Sequence, residues 1–101
     1  MDDAKTAQAR AIFLGLQQGK IDRSLFTSDA NFYFSDEALS DFKSSLGPLG
    51  APESFKQTRS RLRGGITGRS YDAKFADQAL RVWTYEMPDG KLEQFQVAMK
   101  E

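Results

Sequence analysis

Three tyrosines and several carboxylates are the side chains of this sequence whose types could carry out acid–base chemistry. Enolising a carbonyl compound needs a general base and a donor to the developing oxyanion, and a carboxylate with a tyrosine supplies both. The candidates are Tyr33, Tyr71, Tyr85, Asp72, Glu86 and Glu93. Strand alternation does not place all of these carboxylates on the face that carries the aromatic residues. Packing in the core is therefore the simpler role for the tyrosines. No catalytic residue is assigned.

The segment from Ser40 to Lys43 matches the S-x-x-K pattern, in which a lysine activates a serine nucleophile. Phe42 belongs to an apolar helical stripe, which turns Ser40 and Lys43 toward the flanks of the helix. Neither S-D-N nor K-T-G occurs elsewhere to complete such a site. We therefore interpret the match as a coincidence.

Composition restricts the chemistry further. The 101 residues are enough for one domain, 1–101, and 14 basic and 14 acidic side chains give a net charge of zero. Cysteine and histidine are both absent, which excludes disulfides, Cys/His zinc sites and a histidine base. We expect no metal and no cofactor. No apolar run approaches the ~20 residues of a membrane span, so no membrane partner is expected.

A basic segment runs from Lys56 to Arg69 without an acidic residue, and Arg59, Arg61 and Arg63 alternate onto one strand face. Such a face could bind phosphate or nucleic acid. Aromatic residues that would stack on bases are missing from the segment itself, and the overall charge is neutral. The sequence therefore favours a solvated face, or a charge partner for acidic surfaces of another copy, and no nucleic-acid partner.

The first half of the chain predicts two helices, at about 3–18 and 36–46. Apolar residues recur at helical spacing in both, Gly19 follows the first as a C-cap, and Ser35 precedes the second as an N-cap. Between them a short helical turn is expected at 21–26. The aromatic segment 29–34 is left open between extended and irregular structure.

The second half predicts strands at about 53–63, 66–76, 79–87 and 91–100, joined by short connections. The simplest sheet is a four-stranded antiparallel meander in chain order. Gly68 inside the second strand indicates a bulge or bend. The expected fold is α+β, with N-terminal helices packed on a strongly curved sheet.

The turn at Pro88-Asp89-Gly90 predicts the register of the last hairpin. With Met87 opposite Lys91, Trp83 faces Phe95. The shared face, a wall for a core or a small apolar ligand, then comprises Trp83, Tyr85, Met87, Phe95, Val97 and Met99. Replacing Trp83 by alanine should then cost ~3 to 5 kcal/mol. The residues expected to line a ligand site are Phe13, Tyr33, Tyr71, Trp83, Tyr85 and Phe95.

Several local sequences carry a family resemblance. These are Gly19-Lys20-Ile21-Asp22, Ser45-Leu46-Gly47-Pro48-Leu49-Gly50, Leu62-Arg63-Gly64-Gly65, and Leu80 to Glu86 followed by Pro88 to Gln94. With the order of helices and meander, they resemble the NTF2-like superfamily, whose cystatin-like fold is a cone. More narrowly, they look like small bacterial NTF2-like (SnoaL-like) domains at the C-terminus of β-lactamase-like serine hydrolases.

The resemblance implies a non-catalytic accessory domain that binds a small apolar ligand, forms a homodimer through the sheet, or docks to a serine hydrolase domain. The alternative is a lyase, isomerase or cyclase that uses a tyrosine and a carboxylate inside the cone. A domain of a secreted hydrolase would be periplasmic or extracellular, and otherwise a cytoplasmic location is expected.

Overall fold

The computed structural model describes residues 3–100, which form three α-helices followed by four strands. The helices are α1 (Asp3–Leu16), α2 (Ser28–Tyr33) and α3 (Asp36–Leu46), with 3-10 turns at Arg23–Leu25 and Gly47–Leu49. The strands are β1 (Ser54–Arg63), β2 (Ile66–Lys74), β3 (Ala79–Glu86) and β4 (Leu92–Met99). The α+β class and the antiparallel order β1-β2-β3-β4 are confirmed, and the sheet is open.

Helix α2 lies in the segment whose structure the sequence pattern left open. Thr27 caps its first turn, because its side chain accepts a hydrogen bond from the Ala30 N–H at 3.2 Å. Ser35 caps α3 in the same way through the Ala38 N–H. Helix α1 ends at Leu16 and is followed by a turn in which Gly19 has a φ of 72°, a conformation that favours glycine.

Two β-bulges break the alternation of the strands. In β1 the pairing shifts between Gln57 and Arg59, which leaves Thr58 without an opposite residue in β2. At the other end of the sheet, Glu86 lies opposite Leu92 and Tyr85 lies opposite Gln94, which makes Glu93 the extra residue of β4. Bulges increase the local twist and bend a strand, and the sheet is curved accordingly.

The bulge in β4 corrects the predicted face of the last hairpin. Met87 does pair with Lys91, since its N–H donates to the Lys91 carbonyl at 2.8 Å. The extra residue then moves Phe95 opposite Thr84, and Trp83 lies opposite Gln96. Trp83 and Tyr85 therefore point away from the helices, and their predicted common face with Phe95 is wrong.

The hydrophobic core lies between the three helices and one face of the sheet, here called the inner face. The most deeply buried large side chains are Phe13, Leu16, Phe34, Tyr71, Val82 and Phe95. Phe55 stacks on Tyr71 with ring centroids 5.4 Å apart, and Phe13 packs 6.0 Å from Phe55. Among residues 3–100, no helix is long and apolar enough to cross a membrane.

Candidate functional site

The opposite side of the sheet, here called the outer face, is strongly basic. The basic side chains of this face are Lys56, Arg59, Arg61, Arg63, Lys74, Arg81 and Lys100, and Asp72 is the one acid among the paired strand residues that share it. Asp77, in the turn after β2, borders the groove that Lys56, Lys74 and Lys100 line. The strands and the residue after β4 thus place seven of the 14 basic residues of the chain and one of its 14 acidic residues on this face. Although the net charge of the chain is zero, positive and negative side chains are separated in space. The outer face has a net charge of about six positive, which negative charge on the rest of the chain balances.

The bulge at Thr58 brings the basic residues of β1 together. Strict alternation would put Lys56 and Arg59 on opposite faces, because their positions differ by an odd number. The extra residue restores them to one side, where Lys56 lies opposite Asp72 and Arg59 lies opposite Ser70. The predicted common face of Arg59, Arg61 and Arg63 is confirmed, and Lys56 extends it.

Asp72 neutralises a small part of this charge. Its carboxylate accepts a 2.6 Å hydrogen bond from Lys100 Nζ, and Arg81 Nε lies 3.8 Å from its other oxygen. The two cations come from β3 and from the residue after β4. The arginines of β1 lie on the far side of β2 from this pair, so their charges remain available at the surface.

Aromatic side chains lie among these cations. Trp83 occupies the row between Ser70 and Gln96 and is half-buried, whereas Tyr85 is 41% exposed. The ring of Tyr85 lies over Gly68, where an added Cβ would be 3.2 Å from Tyr85 Cε1. Arg61 lies opposite Gly68 in the neighbouring strand.

A shallow groove on the outer face is lined by Arg61, Arg63, Ile66, Gly68 and Tyr85. Because Gly68 has no side chain, the centre of the groove is open, and Arg61 and Tyr85 form its two sides. The sequence pattern does not predict that arginine and aromatic side chains share this face, because the aromatic residues come from β3 and not from the basic segment itself. The alternation of Arg81, Trp83 and Tyr85 with the apolar Leu80 and Val82 was the available signal.

The six residues predicted to line a ligand site are found in three places. Phe13, Tyr71 and Phe95 are buried in the core. Trp83 and Tyr85 are on the outer face. Tyr33 is 55% exposed at the end of α2, where it borders grooves beside β4. The structure therefore does not bring the six together.

A cluster of ionic groups joins the inner face to the first turn of α1. Glu86 Oε1 accepts a 2.6 Å hydrogen bond from Arg69 and lies 3.2 Å from Lys5 Nζ. Burial of the carboxyl raises its pKa, but the hydrogen bonds and charges of Arg69 and Lys5 outweigh burial and hold the pKa of Glu86 below its ordinary value. The Tyr71 hydroxyl lies 3.5 Å from the Lys5 carbonyl, so this region anchors α1.

The other candidate chemistry lies apart from these groups. Ser40 and Lys43 are both on the exposed surface of α3. Among residues 3–100, no three acidic, histidine or cysteine side chains are grouped closely enough to hold a metal ion.

Comparison with protein-family models, with curated proteins and with solved structures found no match to this chain. The outer face, which groups basic and aromatic side chains, is therefore the candidate binding site of the chain.

Proposed function

We propose that this chain is a non-catalytic docking domain that binds an acidic protein surface through its outer face. The observation that carries the proposal is that seven cations and one anion from the strands and the residue after β4 share the outer face with Trp83 and Tyr85. Tryptophan, tyrosine and arginine are the residues that most often dominate binding energy at protein interfaces. A positive face of this kind selects a partner with a negative one and accelerates the encounter.

A folded partner is favoured over a nucleic acid by the charge of the rest of the domain. Exposed acids lie along α2 and α3, namely Asp29, Asp36, Glu37 and Asp41. A long polyanion that leaves the outer face would meet this negative surface. An acidic patch of limited area would contact the outer face alone.

The positive charge of the outer face also disfavours a dimer in which the outer faces of two copies pack against each other. Such a contact would bring together two surfaces with about six positive charges each, and like charges across an interface cost several kcal/mol. The interior offers less to a small ligand, because Phe13 packs against Phe55 and Phe75 within the core. We therefore assign binding to the outer face and not to the inner aromatic residues.

The proposal includes membership in the NTF2-like superfamily. Three N-terminal helices against a curved antiparallel meander are consistent with a cone of that kind. The resemblance implies a serine hydrolase domain as neighbour, and an acidic patch on such a domain is the partner that we propose.

A short oligo-L-glutamate peptide is a suitable first probe, since it presents acidic side chains on a polypeptide and is too short to extend from the outer face to the acidic helices. The single tryptophan, Trp83, lies on the outer face and reports binding by its fluorescence. A variant in which Arg59, Arg61 and Arg63 are all replaced by serine should bind at least about tenfold more weakly.

The matched control replaces three exposed cations outside the outer face, Arg10, Lys20 and Lys43, by serine and has the same net charge. It should bind within about threefold of the parent chain. Equal weakening by the two triple variants would show a non-specific charge effect and contradict the proposal. Oligo-dT, tested in parallel, would reassign the face to nucleic acid if it bound more tightly and lost binding only in the arginine variant.

A further inference from the structure

One groove of the outer face combines apolar and basic side chains. It is the groove lined by Arg61, Arg63, Ile66, Gly68 and Tyr85, here called the Gly68 groove. Ile66 and Tyr85 are 38% and 41% exposed, although the side chain of each is large and mostly apolar. Exposed apolar groups with polar residues around them mark a site of interaction. The Gly68 groove therefore offers a partner apolar contact as well as positive charge.

The two arginines of the groove are not neutralised within the described part of the chain, residues 3–100. Neither Arg61 nor Arg63 forms an ion pair there, whereas Lys100 on the same face is bonded to Asp72. A guanidinium group is planar and weakly hydrated, so it binds carboxylates through two parallel hydrogen bonds and also stacks on aromatic rings. The two arginines can therefore contact both the acidic residues and a ring of a partner.

The backbone forms the floor and one end of the groove. Gly68 lies opposite Arg61 in β1 and opposite Tyr85 in β3, so these two side chains flank a residue that has none. At the end of the groove the turn between β1 and β2 lies against the last hairpin, since an added Cβ on Gly65 would be 3.3 Å from Pro88 Cγ. The volume of the groove, about 350 Å³, is at the lower end of the ~300 to 1,000 Å³ of small-molecule sites. These dimensions suit one side chain of a partner.

We propose that the acidic partner places an aromatic side chain in the Gly68 groove, with its neighbouring carboxylates bound by Arg61 and Arg63. The inference rests on the proposed docking function and names the residue at the centre of that contact. An aromatic ring can stack both on Tyr85 and on the guanidinium of Arg61, whereas an aliphatic side chain gains apolar contact alone. Buried aromatic residues within a polar rim commonly dominate binding at interfaces.

Three peptides that differ in one residue test this proposal. Each contains eight glutamates, with phenylalanine, leucine or alanine at the centre. The fluorescence of Trp83, the single tryptophan, reports binding, and phenylalanine does not contribute to tryptophan emission. The phenylalanine peptide should bind the unaltered chain at least about fivefold more tightly than the alanine peptide and at least about twofold more tightly than the leucine peptide.

Substitutions in the chain locate this gain. Tyr85→Ala should reduce the preference for phenylalanine over alanine to less than about twofold. Arg61→Ser and Lys74→Ser each remove one positive charge from the outer face, but Lys74 does not line the Gly68 groove. Both should weaken all three peptides, and only Arg61→Ser should reduce the preference for phenylalanine. An equal reduction in the Lys74→Ser chain would contradict the proposal.

Intermolecular NOEs give a readout in the unaltered chain that does not depend on how the variants fold. The ring protons of the bound phenylalanine should show NOEs to Tyr85 and Ile66. NOEs to the helices instead would overturn the proposal. Equal binding of the phenylalanine and leucine peptides, or of the phenylalanine and alanine peptides, would overturn it as well and leave the docking function intact, because charge alone would then carry the binding. If none of the three peptides bound, the docking function would be contradicted with it.

Discussion

The hydroxyl of Thr27 donates a 2.7 Å hydrogen bond to the carboxylate of Glu93, the extra residue in β4. The same oxygen accepts from the Ala30 N–H, and the Thr27 N–H donates to the Leu92 carbonyl at 3.0 Å. One threonine thus starts α2 and fixes the place where β4 changes register. That register places Phe95 opposite Thr84 on the inner face, on the other side of the sheet from Trp83 and Tyr85.

Thr27 should therefore contribute more to stability than an ordinary helix cap. Thr27→Ala removes the cap and leaves the Glu93 carboxylate without this donor, so we expect a loss of ~2 to 3 kcal/mol. Ser35→Ala, which removes a cap alone, should cost ~1 kcal/mol. Urea unfolding measures both, and Thr27→Ser serves as a control that keeps the hydroxyl. Equal losses at the two caps would contradict the role given to the Glu93 bond.

The corrected register changes the expected effect of replacing Trp83. Because the indole is half-buried on the outer face, Trp83→Ala should cost ~1 to 2 kcal/mol, whereas Phe95→Ala, in the core, should cost ~3 to 5 kcal/mol. Denaturant unfolding of the two variants gives the comparison. A larger loss at Trp83 than at Phe95 would mean that the two side chains have been placed on the wrong faces.

Tyr85 and Gly68 should be energetically coupled. Alanine at position 68 favours a strand over the flexible unfolded chain by ~0.5 to 1 kcal/mol, but its Cβ would crowd the tyrosine ring at 3.2 Å. Gly68→Ala should therefore stabilise the Tyr85→Ala chain and bring no such gain in the parent. A double-mutant cycle of unfolding free energies measures the coupling, and additive effects would refute it.

Stability should depend on pH through Glu86. Its pKa in the folded chain is lowered, so folding favours the carboxylate form. The contribution is complete above the ordinary glutamate pKa of about 4.3 and is lost as pH falls through the lower folded-state pKa. At neutral pH Glu86→Gln should cost ~1 to 3 kcal/mol, the range for hydrogen bonds to charged groups. Unfolding of both chains at decreasing pH should show this difference shrinking, and a constant difference would contradict the ionic role.

Local sequence signals were enough for most of the fold. Helical spacing with a serine cap predicted α3 within its observed bounds, and alternation with short turns predicted all four strands and their order. Helix α2 was missed because Thr27 was not recognised as its cap within an aromatic, turn-rich segment.

The bulges were beyond local reasoning. The Thr27–Glu93 bond joins residues 66 positions apart, so nothing near β4 in the sequence announces its extra residue. A shift of one residue exchanges the two faces of a strand. For that reason local patterns predict the element boundaries well but place Trp83 and Tyr85 on the inner face. The same error leaves the arginines of β1 without aromatic neighbours on their own face.

The measurement that tests the docking surface most directly is a residue-resolved NMR titration of the chain with a short oligo-L-glutamate peptide. The proposed function predicts that amide shifts concentrate in β1, β2 and β3 around Arg59, Arg61, Trp83 and Tyr85, and that α2 and α3 do not respond. Shifts centred on the helices, or a chain that does not respond at low salt, would contradict the assignment of the outer face as the binding surface.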